Sequence, residues 1–389
     1  MPSILPFGGA SGASGASGAS GASGASGASG ASGASAGSYG NPLTTAALIT
    51  HRDGIAGAWV PPILSKKGWP PGVDWEAELG DAKLLARWDP SVRAAVFDGE
   101  LLSSLRFAAH NEFVSKEVSP KNGHAAFSVW DVPTVKFTGR SAKVSPRAIA
   151  LSGQPIVTFI PPAPKVFAGQ AKLVNDYADL RDDRAAEILS QLEWPYAFWC
   201  SVVNLHPSRT RYTLELLEVG LRLANHVEMR VKHALHCPRP ILYSPQIQPL
   251  ILTPGHGSLP SGHATEAFLV ATLLRRLVPS ANPKETAKQL RLQAGRIATN
   301  RVIAGVHFPV DSVAGRLLGE TLAEYLIARC AGNPTFAHRR FAGPLHAPDE
   351  DFNFSETAQP AFQTISPKLK TMQSPLLKWL WDKAEAEWL

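Results

Sequence analysis

Two short stretches of the sequence contain residue types that can hold an oxyanion and act on it. The first spans residues 232–263 and contains a lysine, an arginine and, at its end, the tetrapeptide Pro-Ser-Gly-His. The second spans residues 300–311 and contains an arginine, a histidine and an aspartate. Positive side chains and free backbone amides stabilise the negative oxygens of such an anion, and a histidine can attack it, bind it or exchange a proton with it.

In the first stretch, Lys232 and Arg239 are seven residues apart, so both side chains can project from one side of a helix end. Ser261 is a favourable N-cap residue, and Gly262 would open an apolar helix whose first amides have no partner within the helix. Those amides form an anion site, and His263 would lie beside the anion in the first turn. Taken singly, each feature is more typical of a solvated face or an ordinary capped helix than of an anion site.

In the second stretch, Arg301 offers a planar fork that suits two oxygens at once. His307 and Asp311 are four residues apart and would be neighbours on one helix face. The carboxylate can then accept the proton of one ring nitrogen, which leaves the other nitrogen free as a nucleophile or ligand. The combination of the two stretches is much more informative than either alone.

These elements resemble those of the superfamily that contains the type 2 phosphatidic acid phosphatases (PAP2) and the vanadium haloperoxidases. The family pattern is Lys-(six residues)-Arg-Pro, then Pro-Ser-Gly-His, then Ser-Arg-(five residues)-His-(three residues)-Asp. Every position matches except that Asn300 stands where the family has Ser. The match covers roughly Lys232–Gly315. The family's Ser is not a direct oxyanion contact, so we expect activity to be retained.

The resemblance also implies an oxyanion cradle. Lys232, Arg239, Ser261, the Gly262 amide and Arg301 would bind the oxygens of vanadate or phosphate.

The resemblance implies the catalytic roles as well. His307 would be the vanadium ligand in a haloperoxidase or the nucleophile in a phosphatase. His263 would be the acid–base group at the opposite apex, and Asp311 would orient His307. Lys232 would join them as a catalytic residue by assisting the activation of hydrogen peroxide.

His256 lies seven residues before His263, as in bromoperoxidases of this family, and is a candidate halide-site residue. The resemblance therefore favours a vanadate-dependent haloperoxidase that oxidises bromide or iodide with hydrogen peroxide in the presence of a small organic acceptor. The proline that follows His307-Phe308 is instead phosphatase-like, so a soluble PAP2-type acid phosphatase that acts on phosphate monoesters through a phosphohistidine stays open. An oxyanion-binding protein without catalysis is a third reading.

The composition of the 389 residues narrows the protein class. The net charge of +6 comes from scattered basic residues without interleaved aromatics, which argues against a nucleic-acid partner. Three widely spaced cysteines predict free thiols, with neither a disulfide framework nor a zinc site. The sequence contains no run of 18 apolar residues and no visible secretion signal, so we expect no transmembrane segment and a cytoplasmic location.

Four regions follow one another along the chain. Residues 1–39 include nine copies of Gly-Ala-Ser and predict a flexible tether. Residues 40–165 are rich in Pro and Trp, with short helices expected at 74–88 and 90–112 and an extended stretch at 150–160. Residues 166–335 would form the catalytic helical region, and residues 336–389 a C-terminal extension.

Apolar periodicity predicts the helices of the catalytic region. They are expected at 171–183 and 184–192, as one helix or two, and at 210–235, 261–278, 284–302 and 309–331. Together with the resemblance, they indicate a mainly α fold, with helical bundles of the vanadium haloperoxidase/PAP2 type and a less regular Pro/Trp-rich N-terminal part. The amphipathic segment 376–389 could pack on these helices or on the partner subunit of a homo-oligomer.

Overall fold

The computed structural model describes most of the chain from residue 81 onwards. The described residues are 58–61, 63–64, 81–114, 123–132, 153–193, 195–332, 334–354 and 359–389. Those from Asp98 onwards form one compact unit, and the earlier ones belong to a second unit. The Gly-Ala-Ser repeat lies outside the described residues.

Helices predominate in the described part of the chain. The α-helices are α1 (Pro90–Leu102), α2 (Pro164–Asp176), α3 (Arg181–Ser190), α4 (Tyr196–Cys200), α5 (Arg211–Leu235), α6 (Gly262–Leu277), α7 (Pro283–Ile303), α8 (Pro309–Cys330) and α9 (Pro375–Glu385). Short 3-10 helices lie at Ala82–Arg87, Tyr177–Leu180, Pro240–Leu242, Pro245–Ile247, Gly343–Leu345 and Ala386–Trp388.

A five-stranded sheet accompanies the helices. Its strands are β1 (Leu105–Glu112), β2 (His124–Asp131), β3 (Gln154–Ile160), β4 (Thr335–Ala342) and β5 (Phe362–Lys370), and they are ordered β1-β2-β3-β4-β5. Only the β3–β4 pair is parallel, with Val157 opposite Arg339. The end of β3 is buried throughout, and α8 packs against both β3 and β4.

Helix α6 lies at the centre of the helices that carry the predicted site. It packs against α5, α7 and α8, and the contact with α8 is the most extensive. Two glycines on α8 make that contact close: a Cβ at Gly315 would lie 2.6 Å from the Ser261 carbonyl oxygen, and one at Gly319 would overlap the Thr265 carbonyl oxygen. These glycines let the two backbones approach closely, which brings the start of α8 near the start of α6.

The structure confirms the long helices and corrects the earlier part of the chain. The predicted helices over 210–235, 261–278, 284–302 and 309–331 correspond to α5, α6, α7 and α8. The predicted helix over 90–112 is wrong, because it ends at Leu102 and residues 105–112 pair with β2 as strand β1. The stretch 171–192, predicted as one or two helices, contains parts of two, but the predicted division after residue 183 is wrong, since α2 ends at Asp176 and α3 begins at Arg181.

The remaining predicted elements are partly described. Residues 82–87 form a 3-10 helix within the predicted helix 74–88, whose residues before 81 lie outside the described part. The predicted extended stretch contains strand β3. The segment 336–389 contributes most of β4 and all of β5 to the sheet, and the amphipathic segment near its end forms α9. None of the described helices has the length and apolarity needed to cross a membrane.

Candidate oxyanion site

The tetrapeptide at 260–263 forms the start of helix α6. Ser261 is the N-cap residue, and its hydroxyl accepts a hydrogen bond from the Ala264 amide at 3.4 Å. The Ser261 amide donates to the Asp311 carbonyl oxygen at 2.9 Å, which ties the start of α6 to the first turn of α8. Gly262 is the first helical residue, so its amide has no partner within the helix. The helix start therefore presents partial positive charge to an anion.

Lys232 approaches this helix start from the last turn of α5. The helix ends where His236 adopts a left-handed conformation, with φ of 48°. The buried Lys232 ammonium donates to the carbonyl oxygens of Pro260 and, at 3.4 Å, of Ser258. Burial lowers the pKa of Lys232 to about 8, and the nearby Glu228 opposes that decrease.

Arg239 joins the loop before α6 to the start of α8. Its Nε donates to the His256 carbonyl oxygen at 3.1 Å, and its Nη1 donates to the Val306 carbonyl oxygen at 2.8 Å. The same Nη1 lies 3.1 Å from His307 Nε2, and Nη2 lies 3.1 Å from His256 Nδ1. Burial lowers the pKa of Arg239 to about 10, so the guanidinium keeps its charge at neutral pH.

His307 and Asp311 meet as their spacing predicts, at the N-terminal turn of α8. His307 Nδ1 lies 3.1 Å from Asp311 Oδ2, and the same oxygen accepts a hydrogen bond from the Phe308 amide at 2.9 Å. The Ser258 hydroxyl donates to the other carboxylate oxygen at 3.4 Å. Because Arg239 can only donate, His307 Nε2 is the unprotonated nitrogen and Nδ1 carries the proton towards Asp311.

Arg301 and His263 are positioned by the turn that follows α3. Arg301 Nη2 donates to the Ile188 carbonyl oxygen at 3.1 Å and to Gln191 Oε1 at 3.0 Å. His263 Nε2 lies 3.0 Å from the Gln191 carbonyl oxygen, which can only accept a hydrogen bond. Arg301 Nη1 also lies 3.4 Å from Nε2, but the Gln191 contact is the shorter one. Nε2 therefore carries the proton, and Nδ1 is the nitrogen that can accept another.

The two apical histidines are neutral in the folded protein. Burial, followed by the nearby Arg301, holds the pKa of His263 well below its usual range. Burial and then Arg239 do the same to the pKa of His307. The pKa of His256 falls to about 4, chiefly through burial. Neutral rings are the form that binds a metal or attacks phosphorus.

Most of the predicted site residues line one pocket. Its lining comprises Leu192, Glu228, Lys232, Arg239, Ile251, Pro254, His256, Gly262, His263, Arg301, Val306 and His307. Two predicted residues are not part of the lining. Ser261 caps α6, and Asp311 contacts Nδ1 of His307. Cys237 is also buried beside the motif, and burial raises the pKa of its thiol to about 12, which makes it a poor nucleophile at neutral pH.

The sequence interpretation missed Glu228, which lines the same pocket. Glu228 lies one helical turn before Lys232 on α5, and only 1 % of its surface is exposed. A signal was present in the periodicity: the apolar face of α5 includes Ala224 and Val231, and Glu228 falls on the same face between them. A carboxylate within an apolar stripe is expected to be buried rather than solvated. Close to a predicted anion site, it indicates a side chain that belongs to that site.

Gln191 was missed as well, and it organises the Arg301 side of the pocket. Its side-chain oxygen accepts from Arg301 and, at 3.0 Å, from Asn300 Nδ2. Asn300 also donates to Glu187 at 2.9 Å. The residue that replaces the family's Ser therefore supports the turn after α3 instead of lining the pocket. Gln191 lies about 110 residues before Arg301 in the sequence, so local spacing gave no signal for this contact.

The donor set fits a tetrahedral or five-coordinate oxyanion such as vanadate. Three basic side chains and the first amides of α6 surround a pocket that His307 enters with its unprotonated Nε2. The buried Arg301 Nε has no hydrogen-bond partner within the described residues. An unpaired buried donor of this kind is costly unless a ligand completes it. Lys232, Arg239, Arg301 and the Gly262 amide could hold oxygens, and His307 could hold the central atom.

Part of the chain is similar to a known protein family. Residues 216–333 match the family model of the PAP2 superfamily. No curated protein matches the chain in a sequence comparison. The matched range contains every predicted site residue and helices α6, α7 and α8 in full. Residues of all three sequence elements thus lie at one pocket, within the region of the chain that is similar to the PAP2 superfamily.

Proposed function

We propose that the protein is a vanadate-dependent haloperoxidase that oxidises bromide or iodide with hydrogen peroxide. The observation that carries the proposal is the orientation of His307. Asp311 accepts a hydrogen bond from Nδ1, so Nε2 is the unprotonated nitrogen. It lies 3.1 Å from Arg239 Nη1 in the basic pocket and would become the ligand nitrogen when that guanidinium turns to a bound oxyanion. Bound vanadate would supply a Lewis-acid centre for peroxide activation without a change of oxidation state.

The residues of the chain would divide the remaining work. Lys232, Arg239 and Arg301 offset the negative charge of the oxyanion, and the Gly262 amide adds a hydrogen bond. His263 accepts a proton from hydrogen peroxide at Nδ1, because its Nε2 is committed to the Gln191 carbonyl oxygen.

His256 favours the haloperoxidase branch. It lines the pocket, and its ring lies against the Arg239 guanidinium. A neutral ring next to a fixed cation provides a surface that attracts a halide ion. A small organic acceptor would then take the oxidised halogen.

A PAP2-type acid phosphatase is the second candidate. The proline after His307-Phe308 is phosphatase-like, and Pro309 occupies the first position of α8. The same His307 Nε2 would attack phosphorus. The phosphoryl group is five-coordinate only in the transition state, and bound vanadate has a similar shape, so one pocket suits both. The two activities therefore need the same residues and differ in their response to vanadate.

A paired assay on one preparation separates the two. Vanadate should switch on bromination of a phenolic dye by hydrogen peroxide and bromide if the proposal is right. Hydrolysis of a phosphate monoester that vanadate inhibits, without bromination, would contradict it and support the phosphatase.

Two histidine variants complete the assay. His307→Ala should lose vanadate binding and bromination. His206→Ala, which removes an exposed histidine outside the pocket, should keep both. Vanadate binding that survives in His307→Ala would overturn the assignment of His307.

A further inference from the structure

A carboxylate lies inside a pocket that is otherwise suited to an anion. Glu228 is 1 % exposed, and its Oε2 has no hydrogen-bond partner among the described residues. The carboxylate packs directly against the start of α6: a Cβ at Gly262 would lie 2.9 Å from Glu228 Oε1. An oxyanion held by the first amides of α6 would therefore lie next to this carboxylate.

The surroundings of Glu228 are mainly basic. Lys232 and Arg239 favour its ionised form, and burial opposes it. The other titratable or charged groups that line the pocket with it are His256, His263, Arg301 and His307. Two further acids, Glu266 and Asp311, act on Lys232 without lining the pocket. Glu228 is thus the acidic side chain in the described lining, and its charge partly balances that of Lys232.

An ionised Glu228 and a bound dianion would repel each other at close range in a poorly solvated site. A protonated Glu228 would instead donate through an oxygen that now lacks a partner. We propose that Glu228 takes up a proton from solvent when a tetrahedral oxyanion binds, donates a hydrogen bond to the anion, and returns the proton on release. The inference rests on the oxyanion pocket of the proposed function, whichever of the two reactions takes place there.

The position of Glu228 makes this proton uptake accessible near neutral pH. Burial raises the pKa of Glu228 to about 7, despite the opposing effect of Lys232 and Arg239. A modest further increase on anion binding is then enough to protonate it.

Molybdate is a suitable probe because it stays a fully deprotonated tetrahedral dianion through the neutral range. Its affinity should be measured by calorimetry at pH 6 and pH 8 for the wild type and for Glu228→Gln, whose amide donates at every pH. We expect similar affinities at pH 6. At pH 8 the variant should bind about tenfold more tightly, because the wild type must first protonate a group of pKa about 7. An affinity ratio that is equal at the two pH values would overturn the proposal.

Glu266→Gln is the matched control. It removes a buried carboxylate that acts on Lys232 but does not line the pocket. Both carboxylates raise the pKa of Lys232, so an effect transmitted through Lys232 should appear in both variants, whereas only Glu228→Gln should bind molybdate more tightly than the wild type at pH 8.

Infrared difference spectroscopy tests the wild type directly and does not depend on how well the variant folds. Addition of molybdate at pH 8 should produce the carbonyl band of a protonated carboxylic acid, and Glu228→Gln should lack it. Binding without this band overturns the role of Glu228 and leaves the pocket intact. If molybdate does not bind the wild type at either pH, the oxyanion pocket of the proposed function and the role of Glu228 are both wrong.

Discussion

At the scale of single residues, the pocket depends on which ring nitrogens carry protons. Asp311 accepts a hydrogen bond from His307 Nδ1, and the Gln191 carbonyl oxygen accepts one from His263 Nε2, so these two nitrogens carry the protons. Both rings are then neutral and present an unprotonated nitrogen. Spacing alone predicted the His307–Asp311 pair, because residues four apart meet on a helix. It could not predict Gln191, whose contact with His263 depends on how two distant parts of the chain pack.

A methyl group at Gly262 should disturb anion binding. In Gly262→Ala the new Cβ would lie 2.9 Å from Glu228 Oε1, so the carboxylate or the helix start must move. Such overpacking costs about 1–3 kcal/mol, which corresponds to a loss of affinity of about fivefold to 150-fold if the cost falls on the anion-bound state. Vanadate affinity measured by calorimetry checks this.

Gly255→Ala serves as the control for that measurement. Gly255 lies in the loop before His256, and a Cβ there would meet no atom within 4 Å. Its affinity should equal that of the wild type. Unchanged affinity in Gly262→Ala would show that the helix start tolerates the methyl group and that the pocket is less tightly packed than described.

At the scale of elements, the helices that carry the site were predictable and the sheet was not. Helix α5 shows a continuous apolar face, which local periodicity reveals. Strand β3 pairs with β4 from a remote part of the sequence, with Val157 opposite Arg339, so no local pattern identifies that partner. The segment 105–112 adopts β1 because it pairs with β2, and this tertiary contact overrides its local tendency.

The packing of α8 on α6 should be sensitive at Gly319. A Cβ there would overlap the Thr265 carbonyl oxygen and lie 2.9 Å from the Leu269 amide nitrogen, both of which are backbone atoms that cannot turn aside. Gly319→Ala should therefore lower the free energy of unfolding by about 2 kcal/mol or more. Urea denaturation measures the change, with Gly332→Ala as the control because a Cβ at Gly332 meets nothing within 4 Å. Equal stability of the two variants would contradict the close approach of the helices.

At the scale of the whole molecule, buried titratable groups couple stability to pH in opposite directions. Burial raises the pKa values of Glu228 and Asp311 to about 7, so these acids favour the folded state as the pH falls. Burial lowers the pKa of His338 on β4 to about 4, so this histidine has the opposite effect. Its unfolded form binds more protons below pH 6.5, and its contribution to stability is complete above that pH and decreases below it.

A histidine variant isolates one of these contributions. As the pH falls from 7.5 to 5, the wild type should lose free energy of unfolding that His338→Gln does not lose. The difference in free energy of unfolding between the two proteins should therefore change by about 1 kcal/mol, after allowance for partial solvent exposure. Chemical denaturation at the two pH values measures the change. His206→Gln, at an exposed position, should show the same difference from the wild type at both. If the His338→Gln difference is also constant, folding does not lower the pKa of His338.

The parallel pairing of β3 with β4 has a consequence for synthesis on the ribosome. Every predicted site residue and helices α2 to α8 lie between these two strands in the chain. While the intervening segment is being translated, β3 has already been made, but its edge has no partner. The buried end of β3 is apolar, and an open apolar edge invites pairing with other chains. A nascent or truncated chain that ends before β4 should therefore be prone to aggregation, even if all residues of the oxyanion pocket are present.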